Sequence, residues 1–293
     1  MKIVFIGSVE FSAEMLKELI LMQANIVGVC TLAESKINAD HFDLMKLTNN
    51  TGIPSRYASD VNDFEVTKWI KSLLPDVIFC FGWSKLIKKE LLMVPQIGVV
   101  GFHPTALPAN RGRHPLIWAL ALGLTETAST FFFMDEGADS GQILSQVPIQ
   151  ILPDDNATSL YEKAVATAKM QMREFVPLLT SGNYPRNPQT LSCANVWRKR
   201  GKEDGRIDWR MAAETIHNLV RSLAKPYVGA YFDFGELEVK VWRTQTVGFL
   251  PLNLEPGKVV DVSNGGPLIK TGIGGIRLIE IEPQIQFTEG QYL

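Results

Sequence analysis

The stretch "GVVGFHPTALPANRGRHP", residues 98–115, runs from an apolar segment into a loop holding three prolines, two arginines and two of the chain's four histidines. Its first part is apolar at consecutive positions, the pattern of a strand buried on both faces. Its second part has no helix or strand period, and its prolines stiffen a backbone that makes no regular ladder. Working outward, "KIVFIG" (2–7), "NIVGVCT" (25–31) and "DVIFCFGW" (76–83) repeat the doubly apolar pattern. Between them, Phe11, Met15, Leu16, Leu19 and Ile20 recur at helical spacing, and further helices are expected at 63–73 and 85–92. Strands separated by helices define an α/β class with a Rossmann-like, mostly parallel sheet covered on both sides. In such sheets ligands bind beyond the carboxyl ends of the strands, which is where the 101–115 loop begins.

Beyond the loop, "PLIWALALG" (115–123) reads as a short helix with proline at its start and glycine past its end. "ASTFFFMD" (128–135) and "QILSQVPIQI" (142–151) are expected strands joined by "EGADSG", followed by an amphipathic helix over 157–180. The stretch "TSGNYPRNPQTLS" (180–192) is rich in turn formers and reads as part of a linker. The expected division is an N-terminal domain over 1–180, a linker over 181–204 and a C-terminal domain over 205–293. In the last, a helix over 211–224 precedes short, glycine-punctuated β segments whose spacing suits a small antiparallel barrel or sandwich, with an OB-like barrel as the expected form.

With 293 residues, 46% hydrophobic and 20% charged, the chain has ample material for a core. A formal net charge of −2 supplies no global attraction to a polyanion. The basic run "WRKRGK" (197–202) is followed at once by Glu203 and Asp204 and reads as a solvated connection. Cys30, Cys80 and Cys193 are too far apart in sequence to suggest a disulfide framework or a zinc site. The opening residues lack a signal-peptide pattern, and the charge-free stretch 91–110 is broken by Pro95, Pro104 and Pro108, so a cytoplasmic protein is expected.

Two motifs could carry chemistry. "GSVEFS" (7–12) sits at a strand-to-helix turn but has one glycine where a dinucleotide fingerprint needs three, which argues against nicotinamide binding. His103 leaves the end of one strand and Asp139 lies in the turn after another. Taken singly, each is an ordinary loop residue. Brought together at sheet ends they form a proton-transfer couple, the carboxylate fixing the ring's tautomer and supporting its charged form.

"FHPTALPANRGRHPLIWAL" followed by "TFFFMDEGADSGQIL" resembles the formyltransferases that use 10-formyltetrahydrofolate, in the branch holding methionyl-tRNA and nucleotide-sugar N-formyltransferases. "FGWSKLIKKELL" (81–92) and "DGRIDW…IHNLVRSLAKPYVGAY" extend the resemblance over nearly the whole chain. It implies that His103 is the catalytic histidine and Asp139 its carboxylate. It also implies that Lys85, Leu86, Ile87 and the segment Asp135, Glu136, Gly137, Ala138 and Asp139 line a folate pocket, and that Arg113 binds substrate. Arg111 and Lys225 are further cations suited to a diphosphate. The chain departs from the family pattern at Gly101, where an asparagine thought to donate to the oxyanion is usual; Asn110 is the replacement suggested by its chemistry. His41, His114 and His217 are too scattered for a ligand set, and no metal is expected.

The choice of amine turns on charge. The segment 32–50 sets Glu34, Asp40 and Asp43 against Lys36 and Lys46, and acids and bases nearly balance in the C-terminal domain. The expectation is therefore a small nucleotide-linked amino sugar rather than a nucleic acid, with no membrane partner. The alternatives are methionyl-tRNA, and a folate-binding homologue without catalysis. Apolar β segments of the second domain leave open a homodimer or a face buried within one chain.

Overall fold

The runs that read as apolar on both faces are buried on both faces. In the computed structural model, which describes residues 1–35, 40–49, 51–263 and 265–293, every residue of Ile3–Ile6 and Val77–Cys80 is buried. In chain order the elements are β1 (Ile3–Ile6), α1 (Glu10–Leu21), β2 (Ile26–Thr31), α2 (Met45–Thr48), β3 (Ser55–Tyr57), α3 (Phe64–Ser72), β4 (Val77–Cys80), α4 (Lys89–Leu92) and β5 (Gly98–His103). Then follow β6 (Arg111–Gly112), α5 (Pro115–Ala121), β7 (Glu126–Phe133), β8 (Ile143–Gln150), α6 (Ala157–Ser181) and β9 (Val196–Trp197). The chain ends with α7 (Ala213–Ser222), β10 (Ala230–Phe234), β11 (Leu237–Val247), β12 (Val259–Asp261), β13 (Leu268–Lys270) and β14 (Gly275–Glu282).

Two units are defined by their internal contacts. The first comprises 1–115, 127–149 and 162–197; the second comprises 116–126, 150–161 and 198–293. The first unit is built on a seven-stranded sheet in the order β3-β2-β1-β4-β5-β7-β8. β3, β2, β1, β4 and β5 pair in parallel, and β7 joins β5 in the antiparallel sense. A cluster of phenylalanines fixes which way β5 faces. Phe102 stacks on Phe11 with ring centroids 4.1 Å apart and tilts against Phe131 at 5.0 Å. Because neighbouring strand residues point to opposite faces, Phe102 in that cluster turns Gly101 and His103 to the other face, which they share with Val99. Val99 packs there with Ile78, Cys80 and Ile87.

The strand-to-helix turn at 7–12 is stapled by hydroxyls. Ser12 Oγ donates to the Phe81 carbonyl at 2.6 Å, and Ser8 Oγ donates to the Gly82 carbonyl at 3.3 Å.

The second unit carries a five-stranded antiparallel sheet in the order β10-β11-β14-β13-β12, with α7 packed on it. Ile216, Leu219 and Val220 of α7 meet Phe232, Val239, Val241, Ile276 and Leu278 in one core. Each large apolar side chain buried in this way contributes about 1.5–3 kcal/mol.

One local expectation changes. The helix expected over 85–92 is confined to Lys89–Leu92. Asn62 is the reason: its Nδ2 donates to the Leu86 carbonyl at 2.9 Å and its Oδ1 accepts from the Lys88 N–H at 2.7 Å, holding the segment extended. The turn-rich stretch after α6 is tied into the first unit through antiparallel bonds between Asn187 and Ile143 and through β9, which pairs in parallel with β6. Lys36, counted above in the acidic 32–50 segment, lies outside the described residues. No helix among the described residues is long and apolar enough to cross a membrane.

Candidate active site

β5 ends on His103, which is 5% exposed, and the chain then enters the proline-rich loop. Three of the loop's carbonyls are satisfied by side chains, and its end joins β9 through β6, which meets the condition for burying irregular backbone. Thr130 Oγ1 donates to the Thr105 carbonyl at 2.6 Å, Gln146 Nε2 to the Leu107 carbonyl at 2.9 Å, and Thr105 Oγ1 to the Ala109 carbonyl at 3.0 Å.

The structure brings His103 and Asp139 together. Nδ1 of His103 lies 3.7 Å from Asp139 Oδ2, and Nε2 lies 2.9 Å from the Asn110 carbonyl oxygen. Nε2–H therefore donates to Asn110, while Nδ1 faces the carboxylate. A doubly protonated ring would find an oxygen acceptor on each side. Asp139 is held in turn: its Oδ2 accepts the Gly112 N–H at 3.0 Å, and its backbone is left-handed, φ 54°. Gly112, at φ 105°, adopts a conformation that L side chains rarely adopt, and an added Cβ would lie 2.3 Å from the Trp197 carbonyl oxygen. The Asp139 turn is as tightly fitted. A Cβ on Gly141 would lie 1.7 Å from the Phe133 carbonyl oxygen.

Other expected site residues have specific placements. Asn110 reaches His103 through its main-chain carbonyl, which accepts the bond from Nε2. Arg111 is buried, with Nε and Nη2 on Gln189 Oε1 at 3.2 and 2.6 Å, so it braces the loop instead of facing a phosphate. Arg113 is more open and places one Nη2 on the Ser84 carbonyl at 3.0 Å. Lys85 Nζ donates to the Ser59 carbonyl at 2.9 Å, Leu86 is 63% exposed and Ile87 is buried. Asp135 to Ala138 form an exposed turn in which Asp135 Oδ1 accepts from Gly137 N–H and Ser140 Oγ, and Glu136 lies 3.8 Å from Lys89. Lys225 belongs to the second unit, its ammonium 5.0 Å from the Trp242 ring.

The space at Gly101 is occupied. A Cβ there would meet Met134 Cγ at 3.0 Å, Phe132 Cζ at 3.1 Å and Met134 Sδ at 3.2 Å. The residues that sequence reasoning passed over are Gln189, Asn62, Asn195 and Met134. Asn195 Oδ1 accepts the Asn110 N–H at 2.6 Å. Gln189 and Asn195 lie in the expected linker over 181–204, where nothing in residue type separates a structural amide from a solvated one.

The burial and partners of the remaining titratable groups are those of structure. His217 is half-buried, with Nδ1 2.9 Å from Thr244 Oγ1, and burial lowers its pKa. Burial pushes the Cys30 and Cys80 thiols up to about 12. Among the described residues no group of three or more histidines, cysteines and acids could hold a metal ion.

A histidine backed by a carboxylate at the carboxyl edge of a mostly parallel sheet has the parts of an acid–base group transferase. Residues 1–176 match the formyl transferase family and residues 199–290 match the formyl transferase C-terminal domain, so the chain belongs to that family and is a formyl-transfer enzyme. It is 30% identical over 288 residues to a methionyl-tRNA formyltransferase of Desulforamulus reducens, covering 97% of this chain and 90% of that one. The fold is shared with the N-formyltransferase from Helicobacter canadensis solved in complex with folinic acid and dTDP-3-aminofucose, with TM-score 0.74, 16% identity and coverage of 95% and 99% of the two chains. It is also shared with methionyl-tRNA formyltransferase from Clostridium thermocellum, with TM-score 0.60, 20% identity and coverage of 93% and 98%.

Proposed function

We propose that this enzyme transfers the formyl group of 10-formyltetrahydrofolate to the primary amine of a nucleotide-linked amino sugar. The observation that carries the choice of amine is the charge of the second unit. Across 199–290 there are as many aspartates and glutamates as lysines and arginines. Several of its cations are engaged by acids: Arg206 with Asp233 at 2.7 Å, Lys202 with Glu238 at 2.5 Å, Arg210 with Asp208 at 2.5 Å and Arg277 with Asp261 at 3.0 Å. A surface that grips an RNA backbone needs uncompensated positive charge. A diphosphate needs one or two donors, and Arg113, with a planar guanidinium, suits it.

The residues present suit a folate co-substrate. Leu86 and the 135–138 turn expose apolar surface and backbone, and the Trp83 indole N–H is buried with no hydrogen-bond partner among the described residues. A planar polar heterocycle could use both features. The Helicobacter canadensis enzyme, which shares the fold, binds folinic acid.

The reaction follows from the pair. The amine nitrogen attacks the formyl carbon; an N–C bond forms and the carbonyl electrons move to oxygen. His103 takes the proton that the nitrogen sheds and returns one to the departing N10 of the folate, leaving a formamide and tetrahydrofolate. Asp139, beside Nδ1, supports the imidazolium between these events. Nε2 is the nitrogen left for the substrate; as substrate arrives it gives up its bond to the Asn110 carbonyl and the ring's proton passes to Nδ1, beside Asp139, so that Nε2 accepts the proton of the amine.

A second reading has its own support, since a methionyl-tRNA formyltransferase is 30% identical over nearly the full length. Purified protein supplied with labelled 10-formyltetrahydrofolate, dTDP- and UDP-linked amino sugars and initiator methionyl-tRNA separates the two. Label on a sugar amine is the expected result. Label on methionyl-tRNA and on no sugar would replace this proposal with the second reading.

A further inference from the structure

Gln189 lies eight residues beyond the end of α6, in a stretch whose composition is that of a connection. Its side chain does more than connect. Nε2 donates to the Asp139 carbonyl at 2.9 Å and to the Gly141 carbonyl at 2.7 Å, while Oε1 accepts from Arg111 Nε at 3.2 Å and Nη2 at 2.6 Å. Both amide protons and both oxygen lone pairs are thereby used. Arg111 precedes Gly112, whose N–H binds Asp139 Oδ2, and follows Asn110, whose carbonyl binds His103 Nε2. One side chain thus joins the loop that bears both partners of the pair to the turn that carries the carboxylate.

That turn needs holding. Asp139 sits at φ 54°, a region that non-glycine residues occupy at a cost and keep only when their surroundings impose it. Its carboxylate is 3.7 Å from the ring, so a small rotation of the turn would remove it from the imidazole altogether. The two main-chain carbonyls fixed by Gln189 flank Ser140, and a donor on each restrains the turn against such a rotation.

We infer that Gln189 is a positioning residue for formyl transfer: its amide locks the Asp139 turn, and its oxygen locks Arg111, so that the carboxylate stays beside His103. This rests on the reading of His103 and Asp139 as the reacting pair. None of its four hydrogen bonds is to the imidazole itself. Its effect is expected on the chemical step and not on substrate affinity, since misplacing a reacting group by about 1 Å commonly costs about a hundredfold.

Gln189→Glu separates the two halves of the interaction. The variant keeps an oxygen for the buried Arg111 but replaces both donors to the turn carbonyls with acceptors. With full-length protein, 10-formyltetrahydrofolate and dTDP-3-aminofucose, kcat is expected to fall about 10- to 100-fold while KM for each substrate stays within about threefold. In protein carrying 15N-labelled histidine, the imidazole signals of His103 should move and those of His217, which lies in the second unit, should not. His103 signals coincident with those of the unchanged protein would overturn the inference, as would an unchanged kcat. A moved His103 signal in an enzyme that formylates no sugar amine would sustain this inference and overturn the proposed substrate. If Gln189→Glu does not fold, Gln189→Met, of similar volume and without added charge, is judged by the same two readouts.

Discussion

Residues 187–197 and 198–206 adjoin in sequence and are both poor in buried apolar side chains, yet they are used in opposite ways. The first stretch directs its polar atoms at the main chain of other loops: Asn187 to Ile143, Gln189 to Asp139 and Gly141, Asn195 to Asn110. The second pairs charge with charge at the surface: Arg198 with Asp204, Lys202 with Glu238, Arg206 with Asp233. Amide-to-backbone bonds set distances and angles in the loops they reach. Exposed ion pairs hold flexible side chains in high dielectric and contribute about 0–1 kcal/mol each at most. Substitutions in or near the first network should therefore alter rate or folding, and those in the second should do little.

The largest effect is expected at the centre of the first network. His103→Gln should lower turnover by about 10²- to 10⁴-fold, the range for a lost acid–base group, with folding retained by circular dichroism. Next comes a matched pair of glycines. Gly141→Ala places a methyl against the Phe133 carbonyl and should cost about 2–3 kcal/mol in denaturant titration. Gly201→Ala, in the second stretch, meets nothing within 4 Å and should stay within about 0.5 kcal/mol. Equal costs for the two would erase the distinction between the stretches.

Gly101→Asn tests whether the missing family asparagine can be restored. Met134 and Phe132 occupy the space, so the variant should lose about 1–3 kcal/mol and gain no rate. A rise in kcat would show that Met134 yields. The smallest effect belongs to the surface pair. Arg198 holds the Asp204 carboxyl well below the usual carboxylate range, so this pairing stabilises above pH about 4 and is lost as pH falls through the folded value. Asp204→Asn should lower Tm at pH 7 by about 2 °C or less, the contact being screened at the surface, and the difference should shrink by pH 3.

What could be read from residues alone follows from what each element needs. β1, β2, β4 and β5 are long enough, and apolar enough on both faces, to declare a buried parallel sheet, and α3, α6 and α7 show their helical stripe. β6 and β9 have two residues each, which leaves no period to detect. The shortened helix at 89–92 depends on Asn62, a residue 24 positions before Leu86, so no local window contains its cause. The candidate pair was legible because His103 ends one strand and Asp139 lies in the turn after another. Their support was not. Gln189 lies 50 positions from Asp139 and 78 from Arg111, and Asn110 turns its carbonyl, not its amide, toward the ring through a left-handed backbone, φ 64°. Such choices are made by the assembled loops.

In the proposed mechanism Asp139 acts in the chemical step by standing beside the His103 imidazole. This role is tested most directly by the single-turnover rate of formyl transfer in Asp139→Asn, a substitution that keeps the size of the side chain and an oxygen for the Gly112 N–H. The rate is expected to fall by about 10²-fold or more, with the dissociation constant for 10-formyltetrahydrofolate within about threefold of the unchanged enzyme. A single-turnover rate within a few fold of the unchanged enzyme would contradict it.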